Sequence, residues 1–275
     1  MPDLQAKITD KFEKFSVFYH NLFDYPLSFS EIIQWTPAIL PEKYNSRPEV
    51  VCEKGYCFVA ERGGLPYKRA IRKRISAKKM VIARKAAKLM SFLPGVKMVA
   101  VTGSLAMENS VSGSDIDLFT ITAKSKLWSS RLLTYLLLKV FGFSIRVPGD
   151  VVQKDKLCLN MWFDEGDLTW REPRNIYTAH EIAQITPLIN KDKTYEKFIF
   201  KNRWILDFWP NAVRINNFKF KVKTHPQGVG IIEKLAFKLQ YLHIRNKVTR
   251  ELIAPSRAIF HPKDWSRVVL KRLAP

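Results

Sequence analysis

Residues 99–121 read VAVTGSLAMENSVSGSDIDLFTI. An apolar run ends in Gly103-Ser104, and a second apolar run carries Asp115 and Asp117 among Ile116, Leu118 and Phe119. Side chains alternate faces along a strand, so Asp115 and Asp117 project together while Ile116 and Leu118 face the core. Two carboxylates that close repel each other. They need a cation between them or solvent around them.

The rest of the composition bounds what such a site serves. The chain has 275 residues, 47% of them hydrophobic, enough for a sizeable core in one large or a few small domains. Its three cysteines, Cys52, Cys57 and Cys158, suggest neither a disulfide framework nor a zinc spacing, so a reducing, cytoplasmic location is expected. The N-terminal stretch has no apolar signal core. The most apolar run, 132–143, is too short to span a bilayer and contains Lys139.

The net charge of +21 is unevenly spread. Residues 66–93 hold 10 basic residues and no acidic one, and residues 191–275 hold 19 basic and 6 acidic residues. Residues 1–65 are slightly acidic. Segregated positive charge attracts polyanions: nucleic acid, ribosome or acidic lipid.

Four segments follow. Residues 1–65 show helical spacing over 5–23, a capping box at Ser28 and Glu31, a third helix expected over about 46–53, and a ribbon at 56–64. This is a winged-helix-like shape, but its acidic balance favours protein contact or packing over DNA reading. Residues 66–93 read as one basic linker helix with an apolar stripe through Ile71, Ile75, Ile82, Ala86, Leu89 and Leu93. Residues 94–190 alternate strands at 96–104, 114–123 and 156–165 with an apolar helix over 126–143. Residues 191–275 mix aromatic and basic residues and read as helical, with a loop near 224–230. The fold class expected is α+β: a mixed-sheet domain flanked by the N-terminal module and a basic helical C-terminal region.

A strand ending in Gly103-Ser104, followed by a strand with Asp115-Ile116-Asp117-Leu118, resembles the DNA polymerase beta-like nucleotidyltransferase superfamily. The resemblance covers about 96–165. More loosely, the whole arrangement is similar to uncharacterised bacterial proteins with a nucleotidyltransferase domain. The resemblance implies that Gly103 and Ser104 hold nucleotide phosphates and that Asp115 and Asp117 hold Mg²⁺ or Mn²⁺. It implies transfer of a nucleoside monophosphate from a nucleoside triphosphate to a hydroxyl on nucleic acid, RNA before DNA, or on protein. Physically, glycine lets backbone approach a phosphate, helix-opening amides bind anions, and Mg²⁺ takes carboxylate oxygens.

The superfamily takes a third carboxylate from a later strand. Here the candidate strand is 157–164, where alternation puts Cys158, Asn160, Trp162 and Asp164 on one face. Asn160 offers a carbonyl oxygen but cannot take a proton at neutral pH. Asp164 lies near the strand end, and Glu165 and Asp167 fall in the loop beyond. The alternative is therefore a degenerate module that binds nucleotide or RNA without catalysis. A winged-helix transcription factor with a ligand-sensing domain is disfavoured by the acidic N-terminal segment. Lys124, Lys126 and Arg131 are further phosphate contacts to weigh against ordinary surface charge. The five histidines, including His20 and His180, show no catalytic or zinc spacing.

Overall fold

The computed structural model describes residues 8–41, 44, 48–147, 149–171, 173–214, 230–245, 252–260 and 265–273. In chain order the elements are α1 Lys11–Asn21, α2 Phe29–Gln34, β1 Val50–Glu53, β2 Tyr56–Val59, α3 Leu65–Ser91, β3 Val96–Val101, α4 Gly103–Ala106, β4 Ile116–Thr122, α5 Leu127–Val140, β5 Leu157–Asp164, α6 Ile176–Ala183, β6 Thr186–Asn190, α7 Thr194–Lys201, α8 Ile231–Ile244, β7 Leu252–Ala254, β8 Arg257–Ile259 and α9 Trp265–Leu273. The class is mixed α+β, built on a six-stranded sheet of order β6-β3-β4-β5-β8-β7. Among the described strands only β4 and β5 pair in parallel, and α5 lies in the connection between them.

Each sheet face buries its own core. Ile116, Leu118, Leu159 and Trp162 pack under α3, α5 and α8 with Ala87, Trp128 and Ala236. Phe119, Ile121, Met161 and Phe163 pack on the other face with α6, α7 and the N-terminal helices. On this face α3 contributes the small side chains of Ala83, Ala86 and Ala87, and α5 fills the space with the large Trp128 ring.

The N-terminal segment is joined to this second core rather than set apart from it. His20 Nε2 lies 3.1 Å from His180 Nε2 on α6, and the Trp35 ring lies 4.2 Å from the His180 ring. Burial lowers His20 to about 4 and holds His180 well below its ordinary value, so both rings are neutral at physiological pH. The capping box forms as expected, with Ser28 N donating to Glu31 Oε2 at 2.8 Å.

Several expectations are corrected. Val50–Glu53 is not helical: it pairs antiparallel with Tyr56–Val59, and its β-branched start suits a strand. Residues 46 and 47 of that expected helix lie outside the described residues. Register puts Cys52 opposite Cys57, and the two are joined by a disulfide, which their spacing alone had not suggested. The C-terminal region is not purely helical, since β7 and β8 extend the sheet beside β5. Most of the loop expected at 224–230 lies outside the described residues. No described helix is long and apolar enough to cross a membrane.

The long helix α3 forms, and its apolar stripe is buried only in its second half. Ala86 is buried and Ile82 and Leu93 pack on the core, whereas Ile71 is exposed and Arg69, Ser76 and Lys79 face inward with Ala83, Ala87 and Met90. The two buried cations have partners far away in sequence. Arg69 Nη2 pairs with Glu31 at 2.6 Å and its guanidinium covers the Tyr25 ring at 4.0 Å. Lys79 Nζ donates to Asp155 and to the Ser114 carbonyl, each at 2.7 Å. Burial alone would raise the Glu31 carboxyl; the Arg69 pair and the Ser28 donors hold it at about 2 instead. Arg69→Met therefore strands a mostly buried carboxylate. It is expected to cost roughly 3 kcal/mol in urea unfolding. A loss well under 1 kcal/mol would show that solvent screens the pair.

Candidate functional site

The turn after β3 brings backbone against a carboxylate. Gly103 adopts φ +59, and a Cβ built there meets Asp117 Oδ2 at 3.1 Å. Both facts favour glycine: other residues are strained at this φ, and a Cβ would press on the Asp117 carboxylate, which would have to give by a few tenths of an ångström. The short helix α4 starts at Gly103, with Ser104 exposed beside it. Ser104 Oγ lies 3.4 Å from Ser110 Oγ, and the Ser110 amide is held by Ser76 Oγ at 3.0 Å. The loop is thus pinned from α3.

Asp115 precedes β4 and Asp117 lies within it. Ligand atoms of Asp115, Asp117 and Cys158 all fall within 4.8 Å of one another. Burial first, and the Asp115 charge second, push Asp117 up to about 7, while a hydrogen bond from the Cys158 thiol and the Arg146 charge oppose the rise. Burial also pushes the Cys158 thiol well up, so at neutral pH it is no thiolate.

Two side chains occupy these carboxylates. Arg146 Nη1 pairs with Asp115 Oδ2 at 2.7 Å. Its backbone amide donates to the Leu157 carbonyl at 2.9 Å, which fixes Arg146 at the start of β5. Asn160 Nδ2 donates to Asp117 Oδ1 at 2.7 Å. The Asn160 Oδ1 atom is buried and has no hydrogen-bond partner.

That orphaned oxygen bears on metal fit. An amide oxygen beside two carboxylates is a hard donor set of the kind Mg²⁺ or Mn²⁺ takes. A neutral thiol is a poor ligand for such a cation, so Cys158 contributes packing and a proton to Asp117 rather than coordination. Asp115, Asp117 and Asn160 thus fit the group that the sequence suggested.

The face expected for β5 is corrected. Asp117 pairs with Cys158, yet Phe119 pairs with Met161, so β5 carries one extra residue at this point. Such a bulge resets the alternation. Cys158 and Asn160 stay on the Asp117 face, but Trp162 turns into the opposite core. Asp164 pairs with Thr122, at the far end of β4, roughly 16 Å from Asp117 at about 3.3 Å per residue. There its carboxylate takes the Gly166 amide at 2.6 Å and the Ser125 amide. Asp164 closes a loop and is not gathered into the site.

Other weighed residues are also engaged elsewhere. Glu165 pairs with Lys197 at 2.6 Å, and Asp167 pairs with the buried Arg257 at 2.7 Å. Arg131 is buried, bonding Gln240 at 2.6 Å and lying over the Tyr135 and Phe260 rings. Lys124 and Lys126 are exposed, in the turn that follows β4.

Sequence reasoning missed Arg146 and Glu181. Glu181 is partly exposed on α6, takes a hydrogen bond from Gln184 Nε2 at 2.7 Å, and is raised to about 7 by burial and by the Asp117 charge. Neither carries a local signal. Arg146 reaches the site by pairing with Asp115 from beside β5, and Glu181 lies on α6, in the layer that covers the Asp117 face, where the Asp117 charge acts on it.

Fold and site together define a chain with one carboxylate in β4 and another just before it, beside a glycine-started helix, on one face of a mixed sheet. No family model matches the chain, and neither a curated protein nor a solved structure is detectably similar to it.

Proposed function

We propose that this chain is a Mg²⁺-dependent nucleotidyltransferase, moving a nucleoside monophosphate from a nucleoside triphosphate to a hydroxyl of nucleic acid, RNA before DNA, or of protein. One observation carries the reading: the Gly103 turn sets the exposed start of α4 directly against Asp117, with Asp115 in the same cluster. That is the juxtaposition a triphosphate and its cation require. Gly103 and Ser104 bind phosphate oxygens through amides and a hydroxyl. Asp115, Asp117 and the Asn160 oxygen would hold the cation, and a bound Mg²⁺ would supply charge neutralisation at the transferred phosphate.

In the reaction, the acceptor oxygen attacks the α-phosphorus and pyrophosphate leaves. The acceptor's proton needs a base that Asn160 does not provide. We assign that role to Glu181 on α6, whose carboxyl is raised to about 7 by burial and by the Asp117 charge, and Glu181→Gln tests the assignment. The N-terminal helices and hairpin are read as a winged-helix-like module in a packing role, which their acidic balance and the His20–His180 contact support.

A second reading has its own observation. Arg146 neutralises Asp115, and Asn160 ties up Asp117. A chain that has replaced its catalytic cation by these groups binds nucleotide or RNA without transfer. The readings separate in one experiment. The chain is incubated with each α-labelled triphosphate, Mg²⁺ or Mn²⁺, and total cellular RNA. Label in RNA or in the protein supports transfer; nucleotide binding without label from any triphosphate supports the degenerate module.

A further inference from the structure

The helices α3, α5 and α8 cover one sheet face, and their outward surface is unusual. Inward, α8 buries Glu233 and Ala236, and Glu233 accepts from the Trp128 and Ser129 amides at the start of α5 at 2.6 and 3.0 Å. Outward, α8 presents Ile232, Leu235 and Leu239, which are 76%, 55% and 64% exposed. The neighbouring α5 presents Leu136 and Val140, 54% and 82% exposed. These residues recur at helical spacing on the sides opposite the buried ones, so two packed helices display apolar stripes together. Exposed apolar surface of this extent on a folded chain marks an interaction site.

The charges beside the stripes are all of one sign. Lys139 is exposed on α5; Lys234, Lys238 and Arg245 are exposed along α8 and its end. On α3, which packs against α5, Arg74, Lys78, Lys85 and Lys88 face outward. These three helices contain a single carboxylate, Glu233, and it is buried.

We propose that this helical layer docks on an anionic lipid bilayer, lying in its interface. Leucine, isoleucine and valine give acyl chains what they bind. Lysine and arginine on the flanks meet the headgroups, with their aliphatic stems alongside. Nucleic acid explains the charge but not the aliphatic stripes, because bases are held by aromatic stacking. Another copy of the chain meets the apolar surface but brings the same positive charge to it. The surface therefore fits a negatively charged, apolar-centred partner. Asp117 projects to the sheet face of Phe119, away from this layer, so docking leaves the candidate site open.

The test is flotation of the full chain with vesicles of phosphatidylcholine alone, or with one quarter phosphatidylglycerol. The chain is expected to float with the anionic vesicles only. Salt should weaken the partition without abolishing it, since the apolar contact is unscreened. Leu235→Gln with Leu239→Gln should lower the partition at least tenfold at an unchanged melting temperature. Ile232→Ser with Val140→Ser, at the two most exposed positions of these stripes, serves as the second variant. Failure of the wild type to float with anionic vesicles overturns the proposal. So does flotation that both apolar variants retain in full. RNA binding that Lys234→Glu with Lys238→Glu abolishes, in a chain that ignores vesicles, assigns the surface to nucleic acid. A dimer in solution that the apolar variants convert to monomer assigns it to a second copy.

Discussion

Replacing Asp115 and Asp117 together by asparagine is expected to abolish Mg²⁺-dependent nucleotide binding while leaving the fold at least as stable. Binding falls because asparagine offers a neutral oxygen where the cation needs charge. Stability holds because burial and the Asp115 charge push the Asp117 carboxyl up to about 7 in the free protein. An acid raised in the folded state keeps its proton while the unfolded chain, titrating near 4, gives it up. Stability from this group is therefore greatest at acid pH and declines as pH rises from about 4 to about 7. The variant has no such decline. Its melting temperature should equal or exceed that of wild type above pH 7, with the advantage shrinking towards pH 4. Loss of the partly exposed Arg146–Asp115 pair offsets only a small part of the gain. Calorimetric titration and melting curves across this range check both halves. A variant that binds Mg²⁺-nucleotide as tightly as wild type removes the carboxylates from the site.

The next largest effect is expected at Glu181. If it accepts the acceptor's proton, Glu181→Gln lowers transfer by about 10²–10⁴-fold and leaves nucleotide affinity nearly unchanged. In wild type the rate should rise with pH to a plateau above about 7, where Glu181 is ionised. Asp117 ionises over the same range and its limb through cation binding remains, so the glutamine variant should lose only the part of the rise that persists at saturating Mg²⁺-nucleotide. Transfer that is undiminished by the substitution excludes Glu181 as the base. Asn160→Asp is the complementary probe. It adds a charged ligand and a base at nearly constant volume, and each 1.36 kcal/mol of barrier recovered is about tenfold in rate. A silent wild type awakened by Asn160→Asp identifies a degenerate site. Asp164→Asn should leave transfer intact, because that carboxylate closes a loop at the other end of β4.

The sequence carried the strands well, since Val96–Val101, Ile116–Thr122 and Leu157–Asp164 are apolar runs bounded by glycine, polar turns or charge. Gly103 was readable for the same reason: a glycine between an apolar strand and a small polar helix start marks a tight turn. The face of β5 was not readable. Its bulge arises where Leu118 is passed by an extra residue of β5, a matter of pairing with no mark in either strand alone. The apolar stripe of α3 held at Ile82, Ala86 and Leu93 but misled in the first half, where the helix buries Arg69 and Lys79, whose burial depends on Glu31 and Asp155 elsewhere in the chain. Arg146 and Glu181 escaped notice likewise. A charged residue gains meaning only from the groups around it: Arg146 pairs with Asp115, and Glu181 feels the Asp117 charge, each across a long sequence separation.

The most direct measurement is titration of the wild-type chain with each of the four ribonucleoside triphosphates, with and without Mg²⁺. The account expects at least one triphosphate to bind with Mg²⁺ present and to lose that binding in chelator and in Asp115→Asn with Asp117→Asn. Absence of binding by every triphosphate, with Mg²⁺ and with Mn²⁺, would contradict it.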